Sequence, residues 1–369
     1  GALFSAAFVT FPSTTASHMS MLTSLWPCAH QVLAPGQMAN GATNGATLPP
    51  RATTVAELLA GAGYATAAFT EDGLIAGPLG FNRGFDLYRD RDGAAEHPLG
   101  VFDEGIDEAL RWIEHHATQR FFLFLHTYQP HSPWKGPRYL QPGGPAATDP
   151  ALDVAAYEAG LRYTDDQLAG LLGALERRGV LDETLVVVTS DHGEAFAEHG
   201  AVGHGSSVYD EQVHVPLVLA HPRLASGGKR IASVVSTIDL APTLAAAAGI
   251  AVPATWQGRS LLALLAGDAA KVPALAEQLW GTRQTLLRTE DRAWVQQGEQ
   301  VEVFDPGADP GQTHDLAATD PALAAEGRQR IGAARAECDR VREAVGPAIP
   351  VAPLDPARRR ALEALGYLR

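Results

Sequence analysis

Unbroken apolar runs constrain this chain more than any other feature. Five stretches carry apolar residues back to back: "FSAAFVT" (4–10), "YATAAF" (64–69), "FFLFLH" (121–126), "LVVVTSDHG" (185–193) and "VPLVLA" (215–220). A strand with one wet face alternates apolar and polar residues, whereas a continuous run marks a strand covered on both faces, as in parallel sheets flanked by helices. All five are therefore expected to be buried parallel strands. Helical patterns separate them: "TVAELLAGAG" (54–63), "DEGIDEALRWIEHHA" (103–117) and the long amphipathic "VAAYEAGLRYTDDQLAGLLGALERRG" (154–179). Acidic starts and Gly stops fit helix capping. Strand alternating with helix predicts an α/β fold, with a large and mostly parallel sheet sandwiched by helices.

Beyond "STIDLAPTLAAAAGI" (236–250) the pattern changes. Residues 283–306 alternate apolar and polar around "QQGEQ", which predicts an antiparallel hairpin. A polar helix follows from about residue 320, then a Pro-rich linker (347–356) and a short final helix. The expected division is a catalytic domain over residues 1–265, a small antiparallel unit over 266–320 and a helical tail over 321–369.

The formal net charge of -14 argues against a nucleic-acid partner, which needs a basic stripe to neutralise phosphates. An anionic substrate would then need local positive charge, from a metal ion or a helix N-terminus. The two cysteines, Cys28 and Cys338, stand at unrelated spacing, which supports neither a disulfide framework nor a Cys-based zinc site. No apolar run approaches the roughly 20 residues of a membrane span. The opening "GALFSAAFVTF" has neither Met nor a basic leader, and the expectation is that it begins partway into a longer protein.

In open α/β sheets ligands bind outside the carboxyl ends of the strands. Three strand ends carry reactive residues: Asp191-His192-Gly193-Glu194 after "LVVVTS", His126 and His131 after "FFLFL", and "PSTTASHMSMLTSLWP" after "AAFVTF". A carboxylate and an imidazole followed by Gly suit a divalent ion such as Zn²⁺, Mn²⁺ or Ca²⁺. Met19, Leu22 and Leu25 form a helical stripe, placing Thr14 near a helix N-terminus, where the positive dipole end favours an alkoxide or an anionic group. An alcohol there becomes a competent nucleophile when a metal on the "DHG" strand lowers its pKa.

"STTASHMSMLTSLWP" together with "TSDHGEAFAEHGAVGHGSSVYDEQVHVPLVLAHP" resembles the sulfatase family of the alkaline phosphatase superfamily, and the resemblance runs through "TVAELLAGAGYATAAF", "FFLFLHTYQPHSPW", "IDLAPTLAAAAGI", "GRSLLALL" and "VFDPGADPGQTHDLA". It implies one or two divalent ions. By position it assigns the nucleophile, itself a metal ligand, to Thr14 and metal ligation to Asp191 and His192. His204 of "GHG" is assigned to a second metal or the substrate, His131 to the transferred group or leaving oxygen, and His18, in the place of a family arginine, to a catalytic position that touches the substrate or only fills that place.

Departures from the family pattern bear on the reaction. Sulfatases convert Cys or Ser to formylglycine, an aldehyde that the secondary alcohol of Thr14 cannot yield, and Ala16 and His18 replace the proline and arginine of the maturation motif. "AAFTEDGLI" stands where sulfatases carry a lysine and a histidine for sulfate. The expectation is a metal-dependent hydrolase forming a covalent phospho-threonine on a phosphate mono- or diester of a small molecule, glycan or lipid headgroup. The alternatives are a sulfuric ester hydrolase, a phosphoryl-headgroup transferase, and an inactive relative that binds anionic ligands. Family members also carry a metal-binding Asp upstream of the nucleophile, on a first strand expected to lie outside this chain. An extracytoplasmic location follows the habit of relatives.

Overall fold

The computed structural model describes residues 1–33, 45–71, 74–91, 100–132, 153–223, 228–267, 271–279 and 283–351. The expected final helix lies outside these residues. Contacts divide the chain into two units: 1–55, 185–195 and 203–351 in one, and 56–184 with 196–202 in the other, the remainder of which is not described.

The first unit is built on strand Ala2–Phe8. It pairs in parallel with Lys229–Ile231 and Val235–Ser236, and antiparallel with His214–Ala220, which in turn pairs antiparallel with Val186–Thr189. The apolar runs are strands, but "VPLVLA" is antiparallel to both neighbours rather than parallel as expected. Covering both faces requires a continuous apolar run whichever way the strand points, so the run carries no direction. Phe4, Phe8, Leu217 and Leu219 are all nearly inaccessible and anchor the core. Each buried side chain of this size contributes about 1.5–3 kcal/mol.

A four-stranded antiparallel meander, Ala274–Gln278, Gln284–Arg288, Ala293–Gln297 and Gln300–Phe304, completes this unit. Its last hairpin turns at Gly298, with φ 59°, inside the expected "QQGEQ". Helix Pro321–Val345 packs on one face of the meander through Ala324 and Ile331 against Leu287, Trp294 and Val303. Gly327 lies there because a Cβ would stand 2.4 Å from the Trp294 ring.

The cysteines correct the expectation. Cys28 and Cys338 form a disulfide across 310 residues of sequence, with Cα atoms 6.1 Å apart. Their spacing showed nothing because the pairing depends on helix Pro321–Val345 folding back onto the short helix Pro27–His30. Only tertiary structure brings them within reach.

The second unit holds a parallel sheet in the order Leu87–Arg91, Ala65–Glu71, Phe121–Leu125. Helix Phe102–His116 starts on Asp103 and Glu104 and ends on His115 and His116, charges that match its dipole. Helix Val154–Arg177 is capped by the Asp153 carboxylate, which accepts from Ala156 N at 3.0 Å. Phe102, Ile106 and Ile113 meet Leu171 and Leu175 between the two helices. The architecture is mixed α/β, as expected. Among the described residues no helix is long and apolar enough to cross a membrane.

Candidate metal and nucleophile site

Strand Ala2–Phe8 runs through Thr10 and Pro12 to Ser13, whose extended backbone (φ -161°, ψ 152°) starts helix Thr14–Thr23. The strand has ended at Phe8, and Ser13 stands at the N-cap without a side-chain cap bond, so Thr14 is the first helical residue. Its hydroxyl sits at the positive end of the helix dipole. Thr14 Oγ1 lies 3.4 Å from His192 Nε2.

His18, one turn on, donates from Nδ1 to the Thr14 carbonyl at 2.9 Å, and the same nitrogen is 3.5 Å from Asp191 Oδ2. That carboxylate oxygen is also 3.5 Å from His192 Nε2. His192 donates from Nδ1 to the Gly193 carbonyl at 2.8 Å, which leaves the lone pair of the neutral ring on Nε2, facing Thr14. Burial pushes the His192 pKa down, against the pull of Asp191, so the ring is held neutral, the form that ligates a metal. The His204 ring stacks on His192 with centroids 4.0 Å apart, and its Nδ1 lies 2.9 Å from Glu194 Oε2.

Local sequence explains this placement. Gly193 follows His192 because a Cβ there would stand 2.2 Å from the Glu211 carbonyl oxygen. Gly203 and Gly205, at φ 82° and 83°, flank His204 in a backbone region that glycine enters at no steric cost. Gln212 joins the two histidine-bearing segments. Its carbonyl accepts from Gly193 N at 2.9 Å, and its side chain accepts from Ser206 N at 3.0 Å and Ser207 N at 3.2 Å.

Thr14, His18, Asp191, His192 and His204 thus come together in the first unit. Ligand atoms of His192, Glu194 and His204 all lie within 4.8 Å of one another. Two imidazoles with the Asp191 carboxylate beside His192 form a donor set suited to Zn²⁺ or Mn²⁺, so the residues fit a divalent ion, while the Glu194 carboxylate faces His204 Nδ1. Glu194 was named at its strand end without a role of its own, and Gln212 was not singled out from the sequence. Glu194 was visible as the last letter of "DHGE"; Gln212 carried no signal, because its work is done partly by its backbone.

His131 belongs to the second unit. It closes a turn in which its N–H donates to the Tyr128 carbonyl at 2.9 Å, while its Nδ1 lies 2.6 Å from the Ser132 carbonyl. Glu71, which ends strand Ala65–Glu71, organises this turn. Its carboxylate accepts from Thr127 Oγ1 and Tyr128 N and also from Gly100 N and Val101 N. Burial raises its pKa, and these four donors counter the rise. Nothing in "AAFTED" marked Glu71 as a hub.

A family model described as Sulfatase matches residues 1–250. Arylsulfatase K of Mus musculus is 31% identical over 185 residues, which are 46% of this chain and 33% of that protein. Delta 4,5-hexuronate-2-O-sulfatase of Bacteroides thetaiotaomicron is 31% identical over 177 residues, 44% of this chain and 37% of the relative. The matched stretches thus span about a third of these relatives' length. The crystal structure of the phosphonate monoester hydrolase of Agrobacterium radiobacter superposes with TM-score 0.73 at 19% identity, covering 92% of this chain and 89% of that one. At that identity the likeness speaks for the fold. The matched span runs from the strand before Thr14 to residue 250 and includes every residue gathered around His192, and on that basis this chain belongs to the sulfatase family.

Proposed function

We propose that this chain is a divalent-metal-dependent hydrolase of anionic esters in which Thr14 attacks a phosphoester. The observation that carries the reading is Thr14 itself: a secondary alcohol at the first position of a buried helix, its Oγ1 3.4 Å from His192 Nε2. Such a residue cannot supply a formylglycine aldehyde, but it is placed to form an ester directly. A bound metal would supply positive charge that favours the alkoxide and offsets charge on the ester oxygens. Asp191, His192 and His204 are the proposed ligands, with Thr14 completing the set.

The chain's own groups account for the rest. The helix dipole favours negative charge at Thr14 Oγ1, and His18 ties the Thr14 carbonyl to Asp191. Attack forms the Thr14 Oγ1–P bond and expels the leaving alcohol. Water then hydrolyses the phospho-threonine, releasing phosphate or its monoester and restoring the hydroxyl. The family motif would assign His131 to the leaving oxygen, a role that rests on the motif alone. In the transferase alternative an acceptor alcohol takes the place of water.

A second reading, hydrolysis of a sulfuric ester on a glycan, is supported by the named activities of the two sulfatase relatives. Aryl phosphate mono- and diesters and an aryl sulfate, each assayed with Mn²⁺, Zn²⁺ or Ca²⁺, separate the two. Phosphoester turnover that disappears in Thr14→Ala supports the first. Turnover confined to the sulfate selects the second, and ligand binding without any turnover selects the inactive relative. An extracytoplasmic location is proposed with it, supported by the Cys28–Cys338 disulfide, a bond that persists in oxidising compartments.

A further inference from the structure

We propose that Glu194 is a positioning residue that fixes the tautomer of His204, so that both stacked imidazoles of the site present Nε2 as their lone-pair nitrogen. The inference rests on the reading of this cluster as a cation site and assigns Glu194 a role the motif does not state. Glu194 Oε2 lies 2.9 Å from His204 Nδ1, and the two side chains are only 15% and 11% exposed. An ionised carboxylate can only accept, so the proton between them belongs to Nδ1 and the lone pair of the neutral ring to Nε2.

The neighbouring ring is held in the same state by different means. His192 Nδ1 donates to the Gly193 carbonyl at 2.8 Å, another group that can only accept. The rings lie 23° from parallel with centroids 4.0 Å apart, and Gly203 and Gly205, both at positive φ, deliver His204 to that stack. One tautomer is therefore set by the backbone and the other by a side chain. A carboxylate behind an imidazole also raises the basicity of the nitrogen that faces the metal. Only the His204 half of this arrangement can be changed by substitution without touching either ring.

Long-range ¹H–¹⁵N spectra of the imidazoles, recorded on the metal-free protein, read the tautomer directly. The expected result is Nδ1–H at His204 in the unsubstituted chain, the same in Glu194→Gln, whose amide oxygen still accepts, and a shift toward Nε2–H in Glu194→Leu. Titration calorimetry with Mn²⁺ or Zn²⁺ should show affinity falling about 10- to 100-fold in Glu194→Leu and largely recovered in Glu194→Gln. An Nε2–H tautomer in the unsubstituted protein overturns the proposal, even if Glu194→Leu fails to fold. So does a Glu194→Gln protein that binds metal as weakly as Glu194→Leu, because Glu194 would then act as a charged ligand. Expected tautomers and affinities in a protein that turns over no ester would uphold this inference while removing the proposed activity.

Discussion

In helix Phe102–His116 the buried residues are Phe102, Ile106, Ala109 and Ile113, whereas in helix Thr14–Thr23 all ten are buried. The first shows a single apolar stripe at spacings of three and four, with charged residues on its wet face. The second buries Thr14, Thr15, Ser17, His18, Ser20 and Thr23 beside its apolar residues. Several of these polar groups have specific partners. Thr23 Oγ1 donates to the Met19 carbonyl at 2.6 Å, and Ser20 Oγ lies 3.0 Å from His30 Nε2, whose Nδ1 accepts from Val32 N. One helix is thus held by apolar area and the other by apolar area together with directed bonds, and this difference separates a scaffold from a candidate site. A helix that presents Thr14 and His18 cannot be placed by hydrophobic burial alone.

Substitutions test that contrast, and the largest effect belongs to the site. Thr14→Ala should lower ester turnover at least about a thousandfold in steady-state assays while leaving the urea midpoint nearly unchanged. Ile113→Ala should do the reverse: about 2–5 kcal/mol of stability lost in urea denaturation, with kcat/KM per folded molecule intact. If Ile113→Ala changes kcat/KM of the folded enzyme, the division between scaffold and site fails.

The covalent fastening behind the site helix comes next. Cys338 is 1% exposed and its bond to Cys28 holds helix Pro27–His30 against helix Pro321–Val345. Replacing both cysteines with serine should cost about 2–5 kcal/mol, read from denaturation with and without a thiol reductant, to which the variant should be indifferent.

Glu277 gives a pH signature in the same place. It accepts from Cys28 N at 3.2 Å, and burial pushes its pKa from 4.5 up to about 7, with Arg335 partly opposing the rise. The fold therefore holds a proton that the unfolded chain releases. Stability from this group is complete below about pH 4.5 and is lost as the pH rises to about 7, roughly 3 kcal/mol in all. Glu277→Gln should remove this decline from denaturation curves at pH 5 and 7.5. His30 works in the opposite direction: burial lowers it to about 3, so its contribution is lost as the pH falls from 6.5 toward that value.

Ser24→Gly should give the smallest effect, a net change within about 1 kcal/mol in urea denaturation. Ser24 has φ 54°, which glycine would relieve, but its Oγ accepts from Gly258 N at 3.0 Å, and that bond would be lost. A much larger loss would show that this bond, rather than the packing around it, ends the site helix.

The scaffold was legible in the sequence to the extent that periodicity reports burial. Helix Phe102–His116 and the strand runs were visible because each presents a repeating face or a continuous apolar stretch to its neighbours. The direction of His214–Ala220 was not, since covering both faces demands the same residues either way. At the site, Thr14, Asp191, His192 and His204 stood out through their place in motifs, and the stripe of Met19 and Leu22 described only part of a helix buried all round. Glu194 was visible at its strand end but not its partner His204, Gln212 was hidden because its contribution is a set of hydrogen bonds to other segments, and Cys28–Cys338 because its partners are joined only by the finished fold.

Ser24 also bears on how the protein reaches its native state. Its carbonyl and hydroxyl hold Gln257 N and Gly258 N, more than two hundred positions later, and the strand leading to Thr14 pairs with segments equally remote. Loop closure over such separations is entropically costly, and chains rich in non-local contacts fold slowly. During synthesis the segment bearing Thr14 emerges long before the residues that end its helix, so its apolar side chains wait without their native cover. The segment that carries Thr14 is thus translated well before its native partners and assembled only once they arrive.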